Sequence, residues 1–401
     1  MWTGGYCLVR HLFAALACLS LGLGACEDVT PARAVMVTDS AGVRITVNRD
    51  EPRSFADIDS VPVLSLGGAD AVGPTEFSRI QHVYRDPRGR LWVADGQSGE
   101  MRIFNPDGSH WKTRGGRGEG PGEFLRIRML GPLRGDSVAV WDVGNARLTL
   151  FDPEGEFVRT SRLTSRETFT PRAVDIFWDG SILAQVPQII SVASIEPGAI
   201  LGDTVLQIRI DLEDSTEEPQ LKVPGGTLWL WTGRSQIPIP FTTALSFDLV
   251  DEAVHLATGP DFRVQVFEDG RLAEIYGVAR DEREVSVADI AVYRDFVEEY
   301  IPKAQQSDYL SALDHPSRPN VLPAYSRLLS ASDGHVWAQI YSPDVLAPAT
   351  WDVFNGAREW VGQVQTPANF AAMSITDGTV AGVWRDDVGV EHVRIYRIQP
   401  G

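Results

Sequence analysis

Residues 73–108, GPTEFSRIQHVYRDPRGRLWVADGQSGEMRIFNPDG, align without a gap onto residues 120–155, GPGEFLRIRMLGPLRGDSVAVWDVGNARLTLFDPEG. Gly73 and Pro74 fall on Gly120 and Pro121, Phe77 on Phe124, Arg79 on Arg126, Asp95 on Asp142, Phe104 on Phe151 and Gly108 on Gly155. The offset is 47 residues throughout. Such a period marks a supersecondary unit that must stack on copies of itself to bury its apolar faces. Residues 91–94 (LWVA) and 101–104 (MRIF) are short β-prone runs. Turn sequences stand at 86–89 (DPRG), 105–108 (NPDG) and 152–155 (DPEG). Proline presets the first turn residue and glycine accepts the positive φ that follows. Four strands in about 40–50 residues is the size of one propeller blade.

Weaker copies continue along the chain. A turn between the first two strands of each unit recurs at Arg88-Gly89, Gly135-Asp136, Asp179-Gly180, Asp251-Glu252, Asp333-Gly334 and Asp377-Gly378, which predicts six blades. Residues 187–202 and 224–240 read as loops, the latter holding Trp229 and Trp231. In 284–312, Ala288, Ile290, Val292, Phe296, Tyr300 and Ile301 recur at helical spacing until Pro302 interrupts. After Phe370 only three strands remain, near 370–375, 379–385 and 391–398, so residues 61–67 are expected to complete the last blade and close the ring. The expected fold is therefore all-β: a six-bladed β-propeller over 61–401, closed by an N-terminal strand, with a small helical insertion at 284–320 between blades four and five. Residues 35–60 read as a hairpin, turning at Asp39-Ser40-Ala41-Gly42, and a connector. GPGEF, then Val140-Trp141-Asp142, then the run Leu148 to Gly155 resembles the NHL-type six-bladed propellers over residues 61–160. That resemblance implies a binding platform, with metal-dependent lyases and lactonases among the relatives; no position here matches the metal residues of those enzymes.

The N-terminus carries a second message. Residues 12–25, LFAALACLSLGLGA, form an apolar run of signal-peptide length. It ends in Leu23-Gly24-Ala25-Cys26, which resembles the lipobox of bacterial lipoproteins. The resemblance implies removal of residues 1–25, lipidation of Cys26, a tether over 26–34 and export to the cell envelope, inner or outer membrane undetermined. Cys7 and Cys18 lie in the removed segment, so Cys26 is the one cysteine left and no disulfide can form within the chain. Attachment to the membrane would then be by acyl chains, each buried methylene contributing about 0.8 kcal/mol.

The formal charge of −18 becomes −19 once residues 1–25 are gone, because Arg10 is their only ionic side chain. Such a surface repels phosphate backbones, and no nucleic-acid partner is expected. His82, His110, His255, His315, His335 and His392 show no ligand spacing, so neither a metal nor a cofactor is expected. No G-x-S-x-G occurs. The run 115–122, GGRGEGPG, lacks the Gly-Lys-Ser/Thr ending of a phosphate loop and reads as an inter-blade loop. Asp95 and Asp142 read as caps for turn amides, and the tryptophans at 229, 231, 337, 351 and 360 mainly as packing. No catalytic residue emerges. One constellation points to binding: Arg79, Arg126, Arg172 and Arg327 each follow an aromatic or Thr-Pro at the start of an inner strand. Around a closed ring they would line one mouth of the channel, where guanidinium forks suit carboxylates or phosphates. Otherwise they would pair with acids such as Glu76 and Glu123. The expected partners are the membrane, through the lipid on Cys26, and a protein, peptide, glycan or small anionic ligand.

Overall fold

The structure, a computed structural model, describes residues 35–49, 54–163, 172–186, 195–243 and 245–400. Residues 1–34 lie outside it, and with them the signal peptide, Cys26 and the tether. Among the described residues the protein is all-β apart from two helices and two single 3-10 turns, and its strands form six sheets.

The first sheet comprises Ile80–Arg85, Leu91–Asp95, Glu100–Phe104 and His110–Gly115, and the second Ile127–Pro132, Val138–Asp142, Arg147–Phe151 and Phe157–Arg162. The sequence repeat is thus one four-stranded antiparallel sheet. The third starts with Arg172–Ile176 and Ile182–Val186, the fourth with Ser246–Val250 and Ala253–Ala257, the fifth with Tyr325–Ser330 and Val336–Ile340, the sixth with Phe370–Thr376 and Thr379–Arg385. Each turn landmark lies between the first and second strands of its sheet. The first strands of successive sheets lie against one another, and Phe370–Thr376 lies against Ile80–Arg85.

Alternation along the strands explains the stacking. All five residues of Leu91–Asp95 are buried. Leu91 and Val93 enter a cluster with Ala381, Val383 and Val393 of the sixth sheet. Trp92 and Ala94 point the other way, to Phe124, Ile127 and Val140 of the second. Because side chains alternate faces, one strand serves two interfaces. Similar clusters join the second sheet to the third, the third to the fourth, the fourth to the fifth and the fifth to the sixth. Trp337, Trp351 and Trp360 are filled into these seams.

The N-terminal segments complete sheets made from distant sequence. Leu64–Gly67 pairs antiparallel with Glu391–Pro400, with Leu66 opposite Val393. Ala56–Ile58, which the sequence reading placed in the connector, pairs further along the same strand. The hairpin Val35–Ser40/Val43–Asn48 adds in parallel to Arg271–Val278, the outer strand of the fourth sheet.

Two loop expectations are corrected. Residues 200–210 and 217–231 are the long antiparallel strands Ile200–Ile210 and Glu217–Trp231, and Gln236–Pro238 adds a third. Residues 187–194 lie outside the described set. Pro219, Pro224, Gly225 and Gly226 mimic loop composition there. The ladder accepts them because its register shifts, so that Gly202 faces Leu228 while Thr204 faces Pro224. The helical expectation corresponds to α1 (Val287–Tyr300) and α2 (Lys303–Leu313). Ser286 and Asp289 form a capping box for α1, and Pro302 stands at the start of α2 without a side-chain cap. Ala312 of α2 packs with Leu230 and Ile237, which brings the two insertions together. Among the described residues no helix is long and apolar enough to cross a membrane.

Candidate functional site

The site begins with two buried aspartates. Asp95 accepts from the amides of Ser78 (3.0 Å) and Gln97 (3.0 Å), and its equivalent Asp142 from Leu125 (3.0 Å), Arg126 (2.9 Å) and Gly144 (2.9 Å). Both close the bend that leads into the first strand, and so they set where Arg79 and Arg126 stand. The Gly96 amide donates to the Arg79 carbonyl at 2.7 Å, and the Val143 amide to that of Arg126 at 3.0 Å.

The GP-x-E-F loops are held from beneath. Arg102 donates to the carbonyls of Pro74 and Glu76, and Arg147 to those of Glu119 (2.8 Å), Gly120 (2.8 Å) and Glu123. Both guanidiniums are buried. The glycine-rich run 115–122 therefore turns carbonyls toward a cation, the reverse of a phosphate loop, which presents amides. The sequence reading missed these two arginines because they sit inside strands, far from the motif they clamp.

Arg79, Arg126 and Arg172 are exposed and Arg327 is half-buried. Glu123 turns back to the Gly120 amide (2.8 Å). Among the described residues no ion pair engages Arg79, Arg126, Arg172 or Arg327. The four do not share one level. Arg79 and Arg126 precede the first paired residues, Ile80 opposite Asp95 and Ile127 opposite Asp142. Arg172 and Arg327 lie one step deeper, opposite Gln185 and Gln339, as His82 lies opposite Ala94. The position equivalent to Arg79 in the fifth sheet is Ala324, whose carbonyl takes the Tyr341 amide at 3.0 Å.

Deeper still is a polar group that no sequence spacing announced. A β-bulge interrupts the first strand at Ile80/His82, Ile127/Met129, Ala173/Asp175, Tyr325/Arg327 and Ala372/Ser374. Bulges re-aim side chains and recur beside functional sites. Arg128, an extra residue in one of these bulges, is exposed and stands near His82. Burial, together with Arg327 and Arg128, lowers the His82 pKa to about 4, so the ring is neutral near pH 7. Asp175 accepts the amides of Ile176 (2.8 Å) and Leu249 (3.1 Å), the second from the next sheet. Asp248 lies between Asp175 on one side and Ser330 and Arg327 on the other. Burial raises both carboxyls above their ordinary range, and repulsion from Asp175 adds to the rise at Asp248. Ser246 and Ser374 serve the same stitching purpose as Asp175, accepting the amides of Leu328 (2.7 Å) and Arg85 (3.2 Å) across neighbouring sheets.

The remaining candidates are accounted for by packing. His255 donates to or accepts from the Tyr276 hydroxyl at 2.9 Å inside the fourth sheet. The Trp231 indole donates to the Ile195 carbonyl at 3.1 Å, and Trp229 beside it is half-buried. Among the described residues no three His, Cys, Asp or Glu side chains converge as metal ligands do.

No protein-family profile and no curated protein sequence matches the chain. Solved structures resemble it distantly. A DUF4221-family member from Bacteroides vulgatus aligns over 87% of this chain and 100% of its own, at 11% identity and a TM-score of 0.46. Virginiamycin B lyase from Staphylococcus aureus aligns over 84% and 98%, at 9% identity and a TM-score of 0.39. A gluconolactonase from Xanthomonas campestris aligns over 80% and 87%, at 11% and 0.40. At such distances the likeness transfers no activity to this chain.

Proposed function

We propose that this chain is an exported lipoprotein whose six sheets are the blades of a closed NHL-type β-propeller, and that the propeller is a binding module for a small anionic ligand. The reading of closure draws on the pairing of Leu64–Gly67 with Glu391–Pro400 and on the contact between the first strands of the sixth and first sheets. The starts of the first strands then surround one mouth of a central channel. Export and anchoring draw on Leu23-Gly24-Ala25-Cys26 and the lack of any later cysteine. Cys26→Ala is expected to abolish incorporation of labelled fatty acid and release the protein from membranes.

The observation that carries the binding reading is that Arg79, Arg126, Arg172 and Arg327 stand at or one step below the starts of the first strands and, among the described residues, form no salt bridge, in a chain of net charge −18. An unpaired guanidinium in an acidic protein keeps its donors available for a carboxylate or phosphate. The test is titration of the purified protein with inorganic phosphate and with citrate. The Arg79→Ala/Arg126→Ala double variant should bind roughly tenfold more weakly. Equal binding by both proteins, or none by either, overturns the reading.

A further inference from the structure

Antiparallel pairing fixes which connections share an end of the sheets. At one end lie the turns between first and second strands and between third and fourth. There the Arg134 amide donates to the Trp178 carbonyl at 3.3 Å, and the Trp178 amide to Glu252 at 3.0 Å. At the other end lie the connections between second and third strands and those leading into each first strand. There the Ala324 amide donates to the Gly259 carbonyl at 3.0 Å, and the Asn369 amide to that of Leu346 at 2.9 Å. Arg79 and Arg126 stand at this second end.

Exposed apolar side chains divide unequally between the two ends. Val345 (77% exposed) and Leu346 sit between the second and third strands of the fifth sheet, and Val388 (83%) in the same place in the sixth. Val72 (77%) precedes the first strand of the first sheet, and α1, which exposes Val287 and Tyr300, precedes that of the fifth. In the turns of the opposite end, among the described residues, only Trp178 is a comparably exposed apolar side chain. The other exposed apolar residues, at 36–37, 61, 63 and 157–158, lie along outer strands or beside them. The chain also enters at the second end. Val35 lies opposite Asn48, and Asn48 opposite Val278, whose amide donates to the Phe262 carbonyl just before the third strand of the fourth sheet. Val35 follows Cys26 by nine residues, a reach of at most about 30 Å.

We propose that this second end docks on the phospholipid bilayer that holds the anchor, with Val72, Val345, Leu346 and Val388 entering the interface. This rests on the anchoring reading and adds what the arginine-bearing end faces. The apolar tips fall on the fifth, sixth and first sheets, a continuous arc beside the fourth sheet, which receives the tether. Single valines and leucines at loop tips bind a bilayer weakly on their own. A short tether makes their insertion intramolecular, so a few of them suffice. The tether also selects lipid over a protein partner, because it keeps this end within reach of the bilayer at all times. A zwitterionic surface suits the chain best, since its negative charge is repelled by anionic lipid.

The lipidated protein, reconstituted in phosphatidylcholine vesicles, provides the test. With Cys26 acylated, an introduced cysteine is the single free thiol. Nitrobenzoxadiazole fluorescence at Val72→Cys or Val388→Cys should fall roughly twofold when the acyl chains carry nitroxide quenchers. The same label at Asp107→Cys, in a turn of the opposite end, should not change. Adding Val345→Asp/Leu346→Asp to the Val388→Cys protein should remove the quenching, while fatty-acid incorporation stays at the wild-type level. Equal quenching at both ends, none at either, or quenching that survives the two aspartates overturns the inference and leaves the anchor standing. Absence of fatty acid from the wild-type protein overturns the anchoring reading, and this inference with it.

Discussion

Asn48 and Trp360 are joined across 312 residues: the Asn48 side-chain oxygen accepts the Trp360 amide at 3.0 Å, while its Nδ2 donates to the carbonyls of Gly277 (3.0 Å) and Arg358 (3.2 Å). The side chain is fully buried. The end of the N-terminal hairpin thus ties the outer strand of the fourth sheet to the fifth. Asn48→Ala strands an amide and two carbonyls away from water, and a loss of about 3 kcal/mol is expected in urea denaturation. Asn48→Asp should not rescue it, because a carboxylate cannot donate to the two carbonyls.

Arg280 and Asp352 form a two-pronged pair across the same seam, both contacts 3.0 Å, with Asp352 fully buried. Tyr325 and Gln363 donate to the same carboxylate at 2.9 Å each. Removing one partner leaves a buried charge, so Arg280→Ala should cost roughly 3 kcal/mol. Arg280→Lys should recover only part of it, since an ammonium cannot reproduce the planar fork. Equal stability of the Lys variant and the wild type would contradict this account.

Leu66 belongs to the strand that pairs with the C-terminal sheet, and it packs with Val83, Leu91 and Val393. If closure of the ring depends on this strand, Leu66→Ala should lower stability by about 2–3 kcal/mol. It should also raise hydrogen exchange at Val393 and Ile395, more than 300 residues away in sequence. Unchanged exchange in that strand would show that the pairing is dispensable.

Two opposed titrations shape the pH profile. His82 and His255 have pKa values lowered to about 4 and about 3, both chiefly by burial. The unfolded chain protonates them below about 6.5, so their favourable contribution is full above that value and is lost as pH falls toward the folded values. Asp175 and Asp248 run the other way. Their folded values are raised, so they favour the fold most below the ordinary carboxylate range, and that contribution is lost as pH rises. His82→Gln should flatten the acid limb of a Tm profile between about pH 6.5 and 4. Asp248→Asn should raise Tm at about pH 8, with the gain shrinking toward about pH 4. A gain independent of pH would refute the second assignment.

The 47-residue repeat made the first two sheets legible in full, because their strands recur at one offset and three of their turns carry Pro-x-Gly chemistry. The capping role of Asp95 and Asp142 was equally readable, since both sit at one point of the repeat. Glu217–Trp231 was not, because its Pro219, Pro224, Gly225 and Gly226 look like a loop and only pairing with Ile200–Ile210 gives their amides and carbonyls partners. Of the site, Arg79 and Arg126 were visible as repeat equivalents. The deeper level of Arg172 and Arg327 was not, because it depends on where each strand bulges.

What the linear order of residues determines here is local: alternation that makes strands, turn chemistry that spaces them, a capping box that starts α1, and a cysteine after a short apolar run. What only the three-dimensional arrangement decides is company. His82, Asp175, Asp248 and Arg327 come from four different sheets, and nothing in their spacing links them. Strand register and stacking bring them together, and burial there, by stripping water from their charges, changes how they titrate.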